Sequence, residues 1–288
     1  MNTEQNLIKA INADIKLHQI LIDKYYVNYA VAGSGPPMLL IHGANFGWGM
    51  WYPNISEFSK HFTVYAIDLP GAGRSSEINY ATLDPENDFV RVVEKFIDYQ
   101  HFQSLHIVGH SIGGWIALKI VLAHPEQIRC VVVVDSVGLS TQVTLQDKMI
   151  AWYPFAKLIS RIILKPEREN KNVEKFLRSA FHNPKTELKQ EFIDYFYTTV
   201  KKSPTLLLVS RLIKLRQSLL LANKIRSIKN RTLIIWGEKD TIIPLRLIVS
   251  SFRSFQNAKI TTIPNVGHVP FIEVADQFNN AVLKFLNN

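Results

Sequence analysis

Short apolar runs alternate with segments of helical periodicity along the first half of the chain. The candidate strands are residues 25–31, 38–42, 62–67, 105–109 and 129–135. The helical patterns between them are residues 49–60, 86–101 and 112–124. Nearly continuous apolar strands joined through helices are typical of a parallel sheet that is covered on both faces. The pattern therefore predicts an α/β fold.

The alternation stops after residue 137. The next ninety or so residues show helical patterns only, at 143–164, 172–182, 186–201 and 204–225. Strand patterns then resume at 231–236 and 258–263, with helical patterns at 244–255 and 271–286. We therefore predict an α/β core domain made of residues 1–137 and 227–288, interrupted by an all-helical cap of residues 138–226.

Length and composition narrow the class of protein. The chain has 288 residues, of which 47% are hydrophobic, enough to bury a large core. No run reaches 18 uncharged apolar residues, and the polar N-terminus lacks the apolar centre of a secretion signal. A single cysteine, Cys130, excludes an internal disulfide and suits a reducing compartment. We expect a cytoplasmic protein.

The net charge of +9 has a local origin. Between Tyr195 and Gly237 there is no Asp or Glu, and the cations of this stretch equal the whole excess: Lys201, Lys202, Arg211, Lys214, Arg216, Lys224, Arg226, Lys229 and Arg231. They form either a solvated helix face or a positive field over the entrance of a pocket under the cap. Such a field would attract an anionic substrate, an acidic carrier protein or an anionic membrane surface.

A glycine-flanked serine stands where the apolar run 105–109 gives way to the helical pattern 112–124. The stretch reads Gly109-His110-Ser111-Ile112-Gly113. In a sharp turn from strand to helix, small residues two positions away let the backbones approach, and the hydroxyl stands clear at the edge of the sheet. The motif indicates Ser111 as a nucleophile.

A serine hydroxyl needs a base, and the base needs an acid that orients it. On this type of turn the chain order is serine, acid, histidine. Asp240 follows the strand pattern 231–236, and His268 is the only histidine beyond it. We predict His268 as base and Asp240 as acid. Asp135, which ends the run "VVVVD", is a rival acid that could also reach the histidine.

Attack on a carbonyl also needs donors for the developing oxyanion. The glycine-rich loop 43–49 follows a predicted strand, so we expect the backbone amides of Ala44 and Ile112 to form the oxyanion hole. The residues that could line a substrate pocket are Asn45, Trp48, Trp115 and Trp152, with packing between cap and core as the alternative for the tryptophans. We predict no metal site.

The motifs "HGAN", "DLPGAGRS", "GHSIGG", "WGEKDTIIP" and "GHVPF" together resemble the α/β-hydrolase superfamily, in its capped serine-hydrolase type. The likeness covers nearly the whole chain. It implies an eight-stranded, mostly parallel sheet with helices on both faces, no cofactor and a pocket between core and cap.

These observations predict a serine hydrolase that cleaves a small-molecule carboxylic ester, apolar in its acyl or alcohol part, through an acyl-enzyme. The alternatives are a thioesterase or acyltransferase on an anionic acyl donor, a C–C bond hydrolase, and a non-catalytic ligand receptor of this fold. Relatives that use an Asp nucleophile do not fit Ser111. Meta-cleavage C–C hydrolases usually have Asn where His110 stands. We expect no nucleic-acid partner.

Overall fold

The computed structural model describes residues 3–44, 46–164, 169–202, 204–221 and 223–287. Within these residues eight strands form one sheet in the order β1-β2-β4-β3-β5-β6-β7-β8. Their bounds are β1 Ile15–Ile22, β2 Tyr25–Ala32, β3 Pro37–Ile41, β4 Thr63–Ile67, β5 Leu105–His110, β6 Ile128–Val134, β7 Arg231–Gly237 and β8 Ala258–Ile263. The strands β1 and β2 are antiparallel to their neighbours, and all pairs from β4 to β8 are parallel. The predicted fold class is confirmed.

Helices cover both faces of this sheet. Outside the segment between β6 and β7 they are α1 Thr3–Ala10, α2 Tyr52–Phe58, α3 Arg91–Tyr99, α4 Ile112–Ala123, α11 Val249–Phe252, α12 Pro270–Glu273 and α13 Ala275–Leu286. Two apolar cores result, one on each face. Strand β5 is buried along its whole length because it lies between both cores. The packing on both faces therefore fixes the position of its carboxyl end and of the residue that follows.

The segment 138–226, between β6 and β7, is helical wherever it forms regular structure in its described residues. Its helices are α5 Leu145–Ala151, α6 Tyr153–Ile163, α7 Glu169–Arg178, α8 Gln190–Lys202, α9 Thr205–Lys214 and α10 Arg216–Leu219, with a short 3₁₀ turn at Ile225–Ser227. Helices α5, α6 and α9 pack on one another, and α8 packs on α1 of the core. No helix among the described residues is long and apolar enough to cross a bilayer.

Two long helical patterns in this segment are divided in the structure. The pattern 143–164 breaks at Trp152, whose backbone is extended, and α6 begins anew with Pro154 in its first turn. Proline lacks an N–H and is favoured there, where no intrahelical acceptor exists. The pattern 204–225 stops at Leu219, since the next residue, Leu220, is extended.

The nine cations do not share one surface. Arg231 begins β7, and one of its guanidinium nitrogens donates to the carbonyl of Phe285 at 2.7 Å. Parallel strands place their carboxyl ends at one edge of a sheet, and Ser111 follows the carboxyl end of β5. Arg231 therefore lies at the opposite edge, about 20 Å away along β7. Lys229 lies at the same edge, because its carbonyl accepts from the side-chain NH₂ of Asn257, just before β8, at 3.0 Å. These two cations do not face the pocket, and the expectation for the other seven stays a prediction.

Candidate active site

Ser111 occupies a strained turn between β5 and α4. Its φ and ψ are 54° and −115°, and its N–H donates to the carbonyl of Val134 at 2.9 Å. A Cβ on Gly109 would lie 2.2 Å from the carbonyl oxygen of Gly113, and a Cβ on Gly113 would lie 2.3 Å from that of Ile41. Only glycine fits at both positions, which explains the sequence motif and fixes the hydroxyl at the start of a helix.

His268 and Asp240 form a buried pair. Nδ1 of His268 lies 2.7 Å from Oδ2 of Asp240. The other carboxyl oxygen, Oδ1, accepts the N–H groups of Ile242 at 2.7 Å and Ile243 at 2.9 Å. A carboxylate can only accept, so Nδ1 carries the proton and Nε2 is left as the basic nitrogen. Ser111 and His268 line the same cavity.

His110 holds the backbone of His268 close to the serine turn. Its Nε2 donates to the carbonyl of His268 at 2.8 Å. Burial, and then the neighbouring His268, lower the pKa of His110 well below its usual value, so the ring is neutral. No local sequence signal reveals this role of His110, because the two histidines lie 158 residues apart in the chain.

Asp135, the rival acid, braces the sheet instead of pairing with His268. Its N–H donates to the carbonyl of Ile235 at 3.1 Å, and its Oδ1 accepts the N–H of Gly237 at 2.9 Å. A carboxyl oxygen of Asp135 lies within 4.8 Å of one of Asp240. Burial, followed by the charge of Asp240, raises the pKa of Asp135 well above its usual value. The environment of Asp135 therefore favours its protonated form.

Asp135, Asp240 and His268 are the one cluster of potential metal ligands among the described residues. The 2.7 Å between His268 Nδ1 and Asp240 Oδ2 is the length of a direct hydrogen bond. Two ligands each about 2.1 Å from an ion lie farther apart than this. The distance between His268 and Asp240 therefore fits a hydrogen-bonding proton between them rather than a shared metal ion.

The loop after β3 carries the first expected oxyanion donor. His42 Nδ1 donates to the carbonyl of Gly43, and its Nε2 accepts the N–H of Leu69 at 2.9 Å. Burial lowers the pKa of His42 to about 4, which keeps this bracing ring neutral. Ala44 then lines the cavity together with Ser111. Asn45, predicted to contribute to the pocket, lies outside the described residues.

The second expected donor, Ile112, is the first residue of α4. Its N–H has no acceptor within the helix, because the first four N–H groups of a helix have none. The positive end of the helix dipole lies at the same point and favours negative charge. The position of Ile112 therefore agrees with an oxyanion site next to the Ser111 hydroxyl.

Two cavities meet at Ser111. The larger holds about 620 Å³ and is lined mainly by apolar side chains, among them Phe46, Phe155 and Ile159. The smaller holds about 130 Å³ and reaches Arg216 and Gln142. Ser111 thus lies between the larger, mainly apolar cavity and the smaller cavity, whose wall includes the cationic residue Arg216.

The three predicted pocket tryptophans line neither cavity. Trp48 is fully buried, and its indole N–H donates to Glu4 at 2.7 Å. Trp115 is fully buried, and its indole N–H donates to the carbonyl of Leu219 at 2.8 Å. Trp152 is 65% exposed. Indole N–H groups seek acceptors when buried, and here the acceptors are Glu4 in α1 and the carbonyl of Leu219 in α10.

Comparisons with known proteins agree with this geometry. The sequence family described as "alpha/beta hydrolase fold" matches residues 36–275. A 2-hydroxy-6-oxononadienedioate/2-hydroxy-6-oxononatrienedioate hydrolase of Comamonas testosteroni is 26% identical over 277 residues, 93% of each chain.

Two solved structures resemble the chain closely. A putative lipase from Acinetobacter baumannii AYE has a TM-score of 0.81 at 25% identity, over 100% of this chain and 98% of that one. A meta-cleavage product hydrolase from Pseudomonas fluorescens IP01 has a TM-score of 0.76 at 22% identity, over 94% and 97% of the two chains. The same backbone is thus shared by proteins described with different reactions.

Proposed function

This chain belongs to the alpha/beta hydrolase fold family and is a hydrolase, and we propose that it cleaves carboxylic esters with Ser111 as nucleophile, His268 as base and Asp240 as the acid. One observation carries the proposal. The strained, glycine-flanked Ser111 lines the same cavity as a histidine whose Nδ1 proton is held by Asp240 at 2.7 Å. That combination leaves Nε2 of His268 free of the carboxylate, on a ring that lines the same cavity as Ser111.

The reaction proceeds in two halves. The Ser111 Oγ–H gives its proton to His268 Nε2 while Oγ bonds to the ester carbonyl carbon, and the carbonyl oxygen becomes an anion held by the N–H groups of Ala44 and Ile112. The C–O bond then breaks, and the alcohol leaves with the proton from Nε2. A water molecule repeats the sequence on the acyl-enzyme, which releases the acid and restores Ser111.

The shape of the site supports an apolar substrate. The larger cavity can hold a medium-length chain or a ring against Phe46, Phe155 and Ile159, while the smaller admits a short group.

The single cysteine, Cys130, is buried in β6. This supports the cytoplasmic location that the proposal retains.

A series of p-nitrophenyl esters of rising chain length tests the proposal. Ser111→Ala should remove nearly all turnover, whereas Ser140→Ala, which deletes a hydroxyl from the smaller cavity, should leave kcat/KM within about threefold. Because both cavities end at finite volumes, kcat/KM should rise with chain length and then fall. Wild-type turnover by Ser111→Ala would contradict the proposed nucleophile.

A C–C bond hydrolase is the second candidate, and Arg216 is the observation that favours it. The relative from Comamonas testosteroni is named for dienedioate substrates, which carry carboxylates. Arg216 lines the smaller cavity within the same enclosure as Ser111 and could bind such a group. Arg216→Gln should then lower kcat/KM at least about tenfold for a 2-hydroxy-6-oxo-dienoate and not for a neutral ester.

A ligand receptor of this fold would behave differently from both enzymes. A fluorophosphonate should label Ser111 in either case, because labelling needs only an activated hydroxyl. Labelling without turnover of any ester, thioester or dienoate would favour the receptor. A loss of turnover in proportion to the fraction of Ser111 that is labelled supports the enzyme.

A further inference from the structure

Two contacting helices of the inserted segment, α5 and α6, carry large apolar side chains that face solvent. These residues are between 43% and 77% exposed, and we call them the α5–α6 stripe: Leu145, Met149, Trp152, Leu158 and Ile162. The spacings 145–149 and 158–162 keep each pair on one side of its helix, and Trp152 stands at the junction between the two helices. Single exposed apolar residues are ordinary, but such a concentration marks a binding surface.

Cations flank the α5–α6 stripe. Lys148, Lys157 and Arg161 are exposed, and each is the chain neighbour of a stripe residue. Asp147 is the only acid between residues 139 and 163. Its Oδ2 accepts the N–H and the hydroxyl of Thr144, so this carboxylate caps α5. The exposed surface therefore combines apolar side chains with positive charge.

We propose that the α5–α6 stripe binds the surface of an anionic lipid bilayer. The apolar side chains would enter the boundary of the acyl chains while Lys148, Lys157 and Arg161 stay among the anionic headgroups. Helices of 7 and 11 residues are too short to span a bilayer and would lie in its plane.

The charge of the surface argues against a second copy of the chain as its occupant. A two-fold interface places the same patch on both partners. The three cations of one copy would then face the same three cations of the other, and residues 139–163 supply no exposed acid to pair with them. An anionic lipid surface removes that conflict and also accepts the exposed indole of Trp152 at the headgroup level.

The α5–α6 stripe adjoins the substrate cavity. Met149 belongs to the stripe and also lines the larger cavity with Ser111. Docking would therefore bring the cavity to the membrane, where apolar molecules are concentrated. This consequence rests on the proposed hydrolase function, whereas docking itself does not.

Tryptophan fluorescence can test the docking directly. Of the five tryptophans, Trp48, Trp51, Trp115 and Trp236 are fully buried, so Trp152 is the indole that solvent or lipid can reach. The Ser111→Ala protein is used, so that hydrolysis cannot change the vesicles. Vesicles of phosphatidylcholine with phosphatidylglycerol should shift its emission to the blue, and acyl-chain bromine should quench it. Phosphatidylcholine alone should do neither at 0.1 M salt.

A charge pair of variants tests the role of the cations. Lys157→Gln with Arg161→Gln should lower partitioning into anionic vesicles about 25-fold, because each cation near such a surface contributes about fivefold. The matched control, Arg226→Gln with Lys229→Gln, removes the same charge in the segment that leads into β7 and should change partitioning less than about twofold. Equal losses in both pairs would overturn docking through the α5–α6 stripe.

An apolar pair of variants completes the test. Leu145→Gln with Leu158→Gln should reduce vesicle partitioning at least about tenfold. The control, Leu21→Gln with Tyr26→Gln, alters two equally exposed residues of the β1–β2 hairpin and should have no effect. Absence of vesicle binding, or wild-type self-association that only the stripe pair abolishes, would refute the proposal. Vesicle binding by a chain that turns over no substrate would contradict the proposed function alone.

Discussion

Replacement of Asp240 by Asn exchanges one carboxyl oxygen for an NH₂ group and should reverse donor and acceptor in the contact with His268. In the wild type, Oδ1 accepts N–H groups from Ile242 and Ile243, and Oδ2 faces His268 Nδ1 at 2.7 Å. The asparagine oxygen has to take the place of Oδ1, because an amide NH₂ cannot accept those two hydrogen bonds. The NH₂ group then faces Nδ1, which must become an acceptor.

The consequence is the wrong histidine tautomer. With Nδ1 accepting, the proton of the neutral ring moves to Nε2, the nitrogen that must take the Ser111 proton. A triad with this defect loses about 10⁴-fold in kcat. That corresponds to about 5 kcal/mol in activation free energy. The loss should appear in kcat far more than in KM, since the substrate cavities are unchanged.

Asp135→Asn supplies the matched control, because it makes the same atomic change next to the same pair. The new amide keeps an oxygen for the N–H of Gly237, and its NH₂ group takes the place of a carboxyl oxygen that has no hydrogen-bond partner. Turnover of a p-nitrophenyl ester should stay within about threefold of wild type. Circular dichroism of both variants should show the native fold.

Two results would refute this reasoning. A loss of 10³-fold or more in Asp135→Asn, with Asp240→Asn nearly active, would make Asp135 the acid that orients His268. Equal and small losses in both variants would mean that neither carboxyl fixes the tautomer. In both outcomes the 2.7 Å contact would be structural only.

Three further changes test the scaffold of the site. Asp135→Asn should also raise Tm at pH 8 and not at pH 4. A buried carboxyl with a raised pKa contributes its full stability below its unfolded pKa of about 3.9, and this contribution is lost as the pH rises through the folded pKa. The amide does not titrate, so the variant does not lose stability in this way. Gly109→Ala should prevent folding or cost more than about 3 kcal/mol in urea unfolding, since its Cβ would lie 2.2 Å from the Gly113 oxygen. Trp115→Phe should cost about 1–3 kcal/mol in free energy of unfolding, through the unpaired carbonyl of Leu219, while kcat/KM for a short ester stays unchanged.

The sheet and the position of the proposed nucleophile were predictable because both depend on local signals. Strand β5 is apolar along its whole length and ends at a glycine-flanked serine, so sequence alone places Ser111 at a strand-to-helix turn. Strand β1, by contrast, was missed. It is an edge strand that buries Ile15 in one core and Ile20 and Ile22 in the other, with three exposed polar residues, Lys16, His18 and Gln19, in between, so neither a continuous apolar run nor a regular alternation marks it.

The pocket was not predictable, because the contacts that decide it join distant parts of the chain. Trp48 turns away from the cavity toward Glu4, which lies 44 residues earlier on a helix that the sequence pattern did not reveal. Trp115 is drawn to a carbonyl 104 residues later. An indole can serve equally as pocket wall or core, and only the tertiary partner of its N–H decides between them.

The histidine loop is fastened to the inserted segment as firmly as to the sheet. The N–H of His268 donates to the carbonyl of Ala180 at 2.8 Å. Glu273 joins the two parts again, because it accepts the N–H of Gly267 at 2.7 Å, that of His182 at 2.9 Å and that of Asn183 at 3.1 Å. A chimaera that exchanges residues 138–226 with those of a relative therefore keeps the proposed base supported only if the new segment follows the same backbone path at 180–183. Transfer of residues 180–183 together with residues 267–273 would preserve these contacts. The two segments should therefore be exchanged together when a new substrate specificity is introduced.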